Sequence, residues 1–325
     1  LNSTNKLTFG DAASFIQQSS DGVLRIDGEA TVDINASAAV TLAAASVPVT
    51  VGGIPFYYGN SGSIYTHDVS GTQNNALNNT AYGLTALDAI TTADNCVAIG
   101  HNAGGAVTTG ADNILIGAST GDGLTTGDTN LAIGNAALGN CDAETNNIAI
   151  GHNSLSGAIN GGEYNVAVGV NTLDALTSGD NNVAIGYNAL SGNTAGSNNV
   201  AIGFEALSNP NVGNTVAIGY QALKANNDTG YQCTAVGYLA LTANTTGDGN
   251  TALGREALEA NTTGSNNIAI GYGALDAPDT EDQNLAIGLN ALGGAIAGGE
   301  SNVAIGNSSF SVLTSADDCV AVGVA

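Results

Sequence analysis

The chain is short of nearly everything that carries chemistry. Basic residues number four (Lys6, Arg25, Lys224 and Arg255) against 28 acidic ones, for a formal net charge of -24. Nucleic-acid binding rests on Lys and Arg neutralising phosphates, so this balance argues against it. The same balance argues against anionic membrane surfaces. No uninterrupted apolar run approaches the length of a membrane span, so no membrane insertion is expected. The three histidines, His67, His101 and His152, are too few to name a Ser-His-Asp set without arbitrariness. No cofactor and no metal is expected. No signal-peptide pattern stands in the chain; it opens without methionine and stops at "CVAVGVA". It therefore reads as a segment of something longer, with any localisation signal outside it.

What the chain has instead is repetition. "NNVAIGYNAL" (181–190) returns as "NNVAIGFEAL" (198–207). The anchoring glycine recurs fifteen times, from Gly83 and Gly100 through Gly186 and Gly203 to Gly306 and Gly323, at steps of 16 to 18 residues, mostly 17. So regular a period means a repeat architecture. A copy is too short for a helix pair, which needs about 33 residues or more. "NVAIG", β-branched and bounded by turn formers, is a short strand, and one copy reads as one coil of two short strands and two turns. The expected fold is all-β: a parallel β-roll or β-solenoid of about 15 coils.

Alternation sorts the residues of each strand. One and three residues before the anchor stand residues such as Ile185 and Val183. Between them comes alanine in fourteen copies, Leu115 being the exception, and leucine follows four after the anchor in eleven of fourteen. Val, Ile and Leu read as the core, and the Ala/Gly face as a close approach to a neighbouring chain. Alternation alone leaves the reverse assignment open. Four before the anchor stands asparagine in eleven copies, including Asn113, Asn147, Asn182 and Asn267. It is either an amide ladder along the axis or plain turn chemistry. "TTG" corners such as Thr246-Gly247 and Thr263-Gly264 supply the turns. A longer duplication relates the coils ending at Gly169 and Gly306, each with a one-residue insertion before "GGE", as expected of growth by copying coils.

Outside the repeats, residues 24–42 alternate apolar and polar, as in one long strand or two kinked at Gly28 with a single buried face. Such a strand needs partners, expected from other chains. The chain divides accordingly: an extended β shaft over 1–46, a Pro-, Gly- and aromatic-rich joint over 47–78, and repeats over 79–325. Residues 67–79 are a linker or a first, degenerate coil.

Few candidates for chemistry emerge. Coils stack about 4.8 Å apart, so His101 and His152, three coils apart, are too distant for one metal. Cys96, Cys141, Cys233 and Cys319 are likewise too far apart for bridges within one chain; they are expected as free, buried thiols, or at contacts between chains. Acidic residues gather in turns, at Asp142 with Glu144 and at Asp279, Glu281 and Asp282. Paired carboxylates can hydrolyse glycosides or bind calcium; solvated turns are the plainer account. After the anchor stand Tyr187, Phe204, Tyr220, Tyr238 and Tyr272, with Arg255 interrupting. That column is either a glycan-contact platform or an aromatic ladder that stabilises stacking.

With "NNVAIGYNAL", "NNIAIGYGAL" and "SNVAIGNSSF" in view, residues 79–325 resemble the YadA-like head repeat of trimeric autotransporter adhesins and phage tail fibres. The usual coil of that family is shorter, so longer turns are expected here. The resemblance implies an intertwined homotrimer, with two further copies of the chain as partners. The stretch "LTFGDAASFIQQSSDGVLRIDGEATVDINASAAVTL" looks like the strands of tail-fibre shafts, which implies a triangular β-prism and a virion location. A heptad coiled coil, expected beside an adhesin head, is not visible. The implied function is non-enzymatic: a tail-fibre segment projecting a receptor-binding region toward a host surface glycan or protein, joined to other fibre or baseplate proteins. The alternative is a bacterial adhesin head at the cell surface. A polysaccharide-degrading tail spike and an ice-binding solenoid using the paired threonines are the remaining readings.

Overall fold

The computed structural model describes residues 6–8, 15–18, 24–27, 49–51, 54–58, 64–66, 75–208, 213–225, 232–277, 280–294, 298–313 and 315–324, with side chains from residue 64 onward. The chain forms two compact units, Leu1–Val49 and Thr50–Ala325. No helix occurs among the described residues, and none is long and apolar enough to cross a membrane.

In the first unit, β1 (Lys6–Thr8), β2 (Phe15–Gln18) and β3 (Leu24–Asp27) form an antiparallel sheet in the order β1-β2-β3. The strand expected from Leu24 is present as far as Asp27. Its hydrogen-bonding partner is β2 of the same chain, with Ile26 opposite Ile16, where another chain was expected. The rest of that alternation, 28–42, lies outside the described residues.

β4 (Val49–Val51) begins at the last residue of the first unit, and in the second unit β5 (Ile54–Tyr58) precedes β6 (Ile64–Tyr65). β5 runs antiparallel to β6, and β6 is parallel to β7 (Thr80–Tyr82). Fourteen further three-residue strands follow, from β8 (Val97–Ile99) to β21 (Val320–Val322). Sixteen parallel strands, β6 to β21, thus stack as a β-solenoid with one strand per coil, where two were expected; left-handed residues such as Asn188 and Leu190 make the stretch after each anchor a run of turns. Register is strict: Val183, Ala184 and Ile185 lie opposite Val200, Ala201 and Ile202. The ladder begins before the expected boundary at residue 79, since Tyr65 stacks on Ala81 and is fully buried in the alanine position. Of the stretch 67–79, read as a linker or a first degenerate coil, residues 67–74 lie outside the described residues.

The assignment of faces is reversed from the expectation. The central alanines, among them Ala98, Ala132, Ala184 and Ala217, are fully buried together with the leucines four after each anchor. The flanking Val and Ile residues point outward, half-buried or exposed. The coil is thin, and a leucine reaching across it leaves room for only a methyl on the opposite wall. The exceptions establish this. Leu115 replaces the alanine where Gly104 and Gly121 replace the leucine in adjoining coils. A Cβ at Gly104 would come within 2.6 Å of Leu115 Cδ1, and one at Gly121 within 2.9 Å of Cδ2. One large side chain occupies the space that two neighbouring coils vacate, as close packing demands.

Each coil turns on left-handed residues. Around Gly186 (φ +133°) stand Asn181 (φ 57°), Asn188 (φ 51°) and Leu190 (φ 55°). A left-handed leucine costs about 1–2 kcal/mol, whereas full burial of its side chain contributes about 1.5–3 kcal/mol. Burial therefore outweighs the strain, and leucine persists where glycine would be conformationally easier.

The asparagine column is an axial ladder. Asn199 N–H donates to Asn182 Oδ1 (3.0 Å), and Asn182 Nδ2 donates to the Gly196 carbonyl of the next coil (2.9 Å). The pattern repeats at Asn113, Asn130, Asn147, Asn165, Asn267, Asn284 and Asn302. Each amide satisfies a buried donor and a buried acceptor that the corner leaves without strand partners.

Candidate functional site: the outward face and its aromatic edge

Because the alanines point in, the Val/Ile pairs make two parallel columns on the outer face of the sheet. One runs through Ile114, Leu131, Ile148, Val166, Val183, Val200 and Val216; the other through Ile116, Ile133, Ile150, Val168, Ile185, Ile202 and Ile218. Threonine or leucine continues them at Thr234, Thr251 and Leu253, and beyond these come Ile268 with Ile270, Leu285 with Ile287 and Val303 with Ile305. The strip is mostly apolar, broken by Thr80, Thr234 and Thr251, and carries no charged side chain. At about 4.8 Å per coil it is about 70 Å long.

The aromatic residues form a third column beside it. Tyr187 stacks on Phe204 (ring centroids 5.3 Å apart, 15° between planes), Phe204 on Tyr220 (5.2 Å, 8°) and Tyr220 on Tyr238 (5.2 Å, 13°). Arg255 does not interrupt the column. Its planar guanidinium takes the place of a ring, 5.4 Å from the Tyr238 centroid and 5.3 Å from that of Tyr272, in a cation–π sandwich. Each ring is 39–46% exposed. The rings turn their faces to one another and their edges to solvent. A sugar would therefore meet edges and hydroxyls along the column, whereas pyranose platforms need an open ring face. The five aromatic residues singled out in the sequence are thus brought together, in the arrangement of a stacking ladder.

Charged groups flank this column. Lys224 pairs with Glu205 (2.6 Å), and Gln221 donates to the same carboxylate (2.8 Å); both hydrogen bonds, that of Lys224 first, hold the Glu205 carboxyl below its ordinary range. Arg255 pairs with Glu256 (2.8 Å). Burial, and then the charges of Glu256 and Asp276, raise Glu259; burial also raises Asp276.

The acidic turns have a structural use that their sequence did not disclose. Glu144 is buried; its Oε2 accepts from Asp142 N–H and Ala143 N–H, and its Oε1 from Gly161 N–H one coil away. Glu281 does the same with Thr280 and Gly298. Gly161 and Gly298 each belong to an inserted "GGE" turn, so each carboxylate ties an 18-residue coil to its neighbour. The signal was available in the shared duplication. Asp279 and His67 lie outside the described residues. His101 and His152 are exposed and three coils apart, and no cluster able to hold a metal occurs among the described residues.

The cysteines are free thiols, with Cys96, Cys141 and Cys233 buried and Cys319 half-buried. Cys96 and Cys233 stand in the asparagine column and imitate it: their S–H groups donate to the Gly110 and Gly247 carbonyls, each at 3.3 Å. Burial pushes both thiols up to about 11, and Cys141 well above its ordinary value. The paired threonines also spend hydroxyls on the ladder, since Thr245 Oγ1 donates to the Thr262 carbonyl (2.9 Å).

These columns define a class, the parallel β-solenoid with side-chain ladders along its axis. No protein-family model matches the chain, and comparison with curated proteins and with solved structures gives no match either.

Proposed function

We propose that the chain is a structural and attachment protein without enzymatic activity, a segment of a homotrimeric phage tail fibre that holds a receptor-binding region away from its base. The observation that carries this reading is the Val/Ile strip. About 70 Å long and about 10 Å wide, it offers about 700 Å², more than the largest apolar patch of a typical monomer, about 300–600 Å². It also approaches the roughly 800 Å² per partner of a stable interface. The strip has no charge to pair, which suits a second copy of itself in parallel. The outward Val/Ile face thus takes the role that the sequence reading had given to the Ala/Gly face. Three chains would multiply weak surface contacts by avidity, and the axial hydrogen bonds would keep the rod rigid. An adhesin head on a bacterial surface would use the same geometry; the strand-rich first unit favours the fibre.

Light scattering on the native particle, with and without reductant, tests this. A mass three times that of the chain, unchanged by reductant, is expected, and Ile185→Asp with Ile202→Asp should release monomers. A soluble wild-type monomer would overturn the proposal.

A further inference from the structure

The aromatic column carries one chemical consequence of its own. Tyr220 and Tyr238 are the only tyrosines one coil apart in a face-to-face stack among the described residues. Tyr187 has Phe204 as its neighbour, and Tyr272 has Arg255. Tyr82 lies in the outer strip opposite Ile99, and Tyr65 is buried. The 220–238 rings lie 5.2 Å apart, 13° from parallel, and are 43% and 45% exposed. The two phenol rings are therefore held as neighbours one coil apart, both open to a small oxidant.

We propose that Tyr220 and Tyr238 are a site of oxidative dityrosine cross-linking, a covalent staple between two successive coils of one chain. The co-reactant is a one-electron oxidant of the peroxidase type, drawing on hydrogen peroxide. Each phenol gives one electron to the oxidant and one proton to water, leaving two phenoxyl radicals with spin on their ortho carbons. One ortho–ortho carbon–carbon bond forms. Each joined carbon then loses its hydrogen as a proton while the oxygen of the same ring regains one, restoring both aromatic rings. In total two hydrogen atoms leave the pair, and one hydrogen peroxide is reduced to two waters. Proximity replaces a bimolecular radical encounter, which is why this pair should outcompete tyrosines that must meet by diffusion. The bond would close an 18-residue loop and lock the register of the coils at that point.

The test exposes the purified chain to photogenerated tris(bipyridine)ruthenium(III) with persulfate as electron acceptor, followed by peptide mapping. The expected product is a linked pair of peptides containing Tyr220 and Tyr238, lighter than their sum by two hydrogens, in chains of unchanged length on a denaturing gel. Tyr220→Phe and Tyr238→Phe keep the stack and should each abolish that product and its blue fluorescence. Phe204→Tyr should add new links to Tyr187 and Tyr220, a gain that loss of folding could not produce. Absence of the 220–238 product from folded wild type would refute the proposal. So would links that run mainly between chains, or a yield equal to that of denatured protein.

Discussion

Replacing one anchor glycine by alanine should cut the solenoid in two. At Gly203, φ is +135°, and an added Cβ would lie 2.3 Å from the carbonyl oxygen of Gly219 and 2.7 Å from its carbon. Both atoms are backbone within the ladder, so no rotamer can relieve the contact. Ordinary van der Waals contact begins at 3.4 Å, and the coils would have to part locally by about 1 Å. Two hydrogen bonds cross that gap, from Gly219 N–H to the Ile202 carbonyl (2.8 Å) and from Gln221 N–H to the Phe204 carbonyl (2.9 Å). Stretching them past bonding distance costs about 1–3 kcal/mol for each group left buried and unpaired. Backbone strain at such a φ adds about 1–3 kcal/mol. The expected loss is about 5 kcal/mol at one coil–coil interface.

Gly161 supplies the control. Its φ is +107°, and a Cβ there would meet nothing within 4 Å. Gly161→Ala therefore carries backbone strain without the clash and should cost about 1–3 kcal/mol. Urea unfolding followed by circular dichroism gives the comparison, and amide exchange locates the defect. Because each coil touches only its neighbours, Gly203→Ala should unfold in two steps, with protection lost first around residues 200–221. If the two variants lie within about 1 kcal/mol of each other, the clash is not real and the account of the glycine column fails.

Three further outcomes follow from the columns. Asn182→Ala strands Asn199 N–H, while the Gly196 carbonyl keeps the Asn193 amide as a donor, and should cost about 1–3 kcal/mol in urea midpoint analysis, whereas Asn182→Cys, copying Cys96, should cost less. Leu115→Ala should open a cavity at a cost of about 2–5 kcal/mol, recovered in part by adding Gly104→Leu, a double-mutant cycle that would show no coupling if the two sites did not share space. The buried thiols of Cys96 and Cys233 ionise near 11 in the folded chain against 9.0 ordinarily. The native state thus holds those protons more tightly, and their contribution is complete below pH 9. It should fall as the pH rises from 9 through 11, by about 3 kcal/mol for each thiol. Cys96→Asn with Cys233→Asn should flatten that slope in a pH series of unfolding midpoints.

The period, the strand in each copy and the asparagine column were legible because each is a one-dimensional property: residues 17 apart in sequence become neighbours in space wherever coils stack. The inward and outward faces were not. Period-two alternation separates Ala184 from Val183 and Ile185 without saying which side closes on itself, and the larger side chains pointed to the wrong answer. The information was present, but only in correlated exceptions. Leu115 departs from alanine where Gly104 and Gly121 depart from leucine, and a compensated pair of departures means that the two columns touch. That contact places alanine inside and leaves valine and isoleucine outside. Arg255 is the same kind of case. In sequence it breaks an aromatic run; in the fold its planar cation stacks between Tyr238 and Tyr272 at nearly the ring spacing. A residue's hydropathy would exclude it from that column, while its shape and π-facing charge admit it. In a chain built of copied coils, the copies report the period and the departures report the packing.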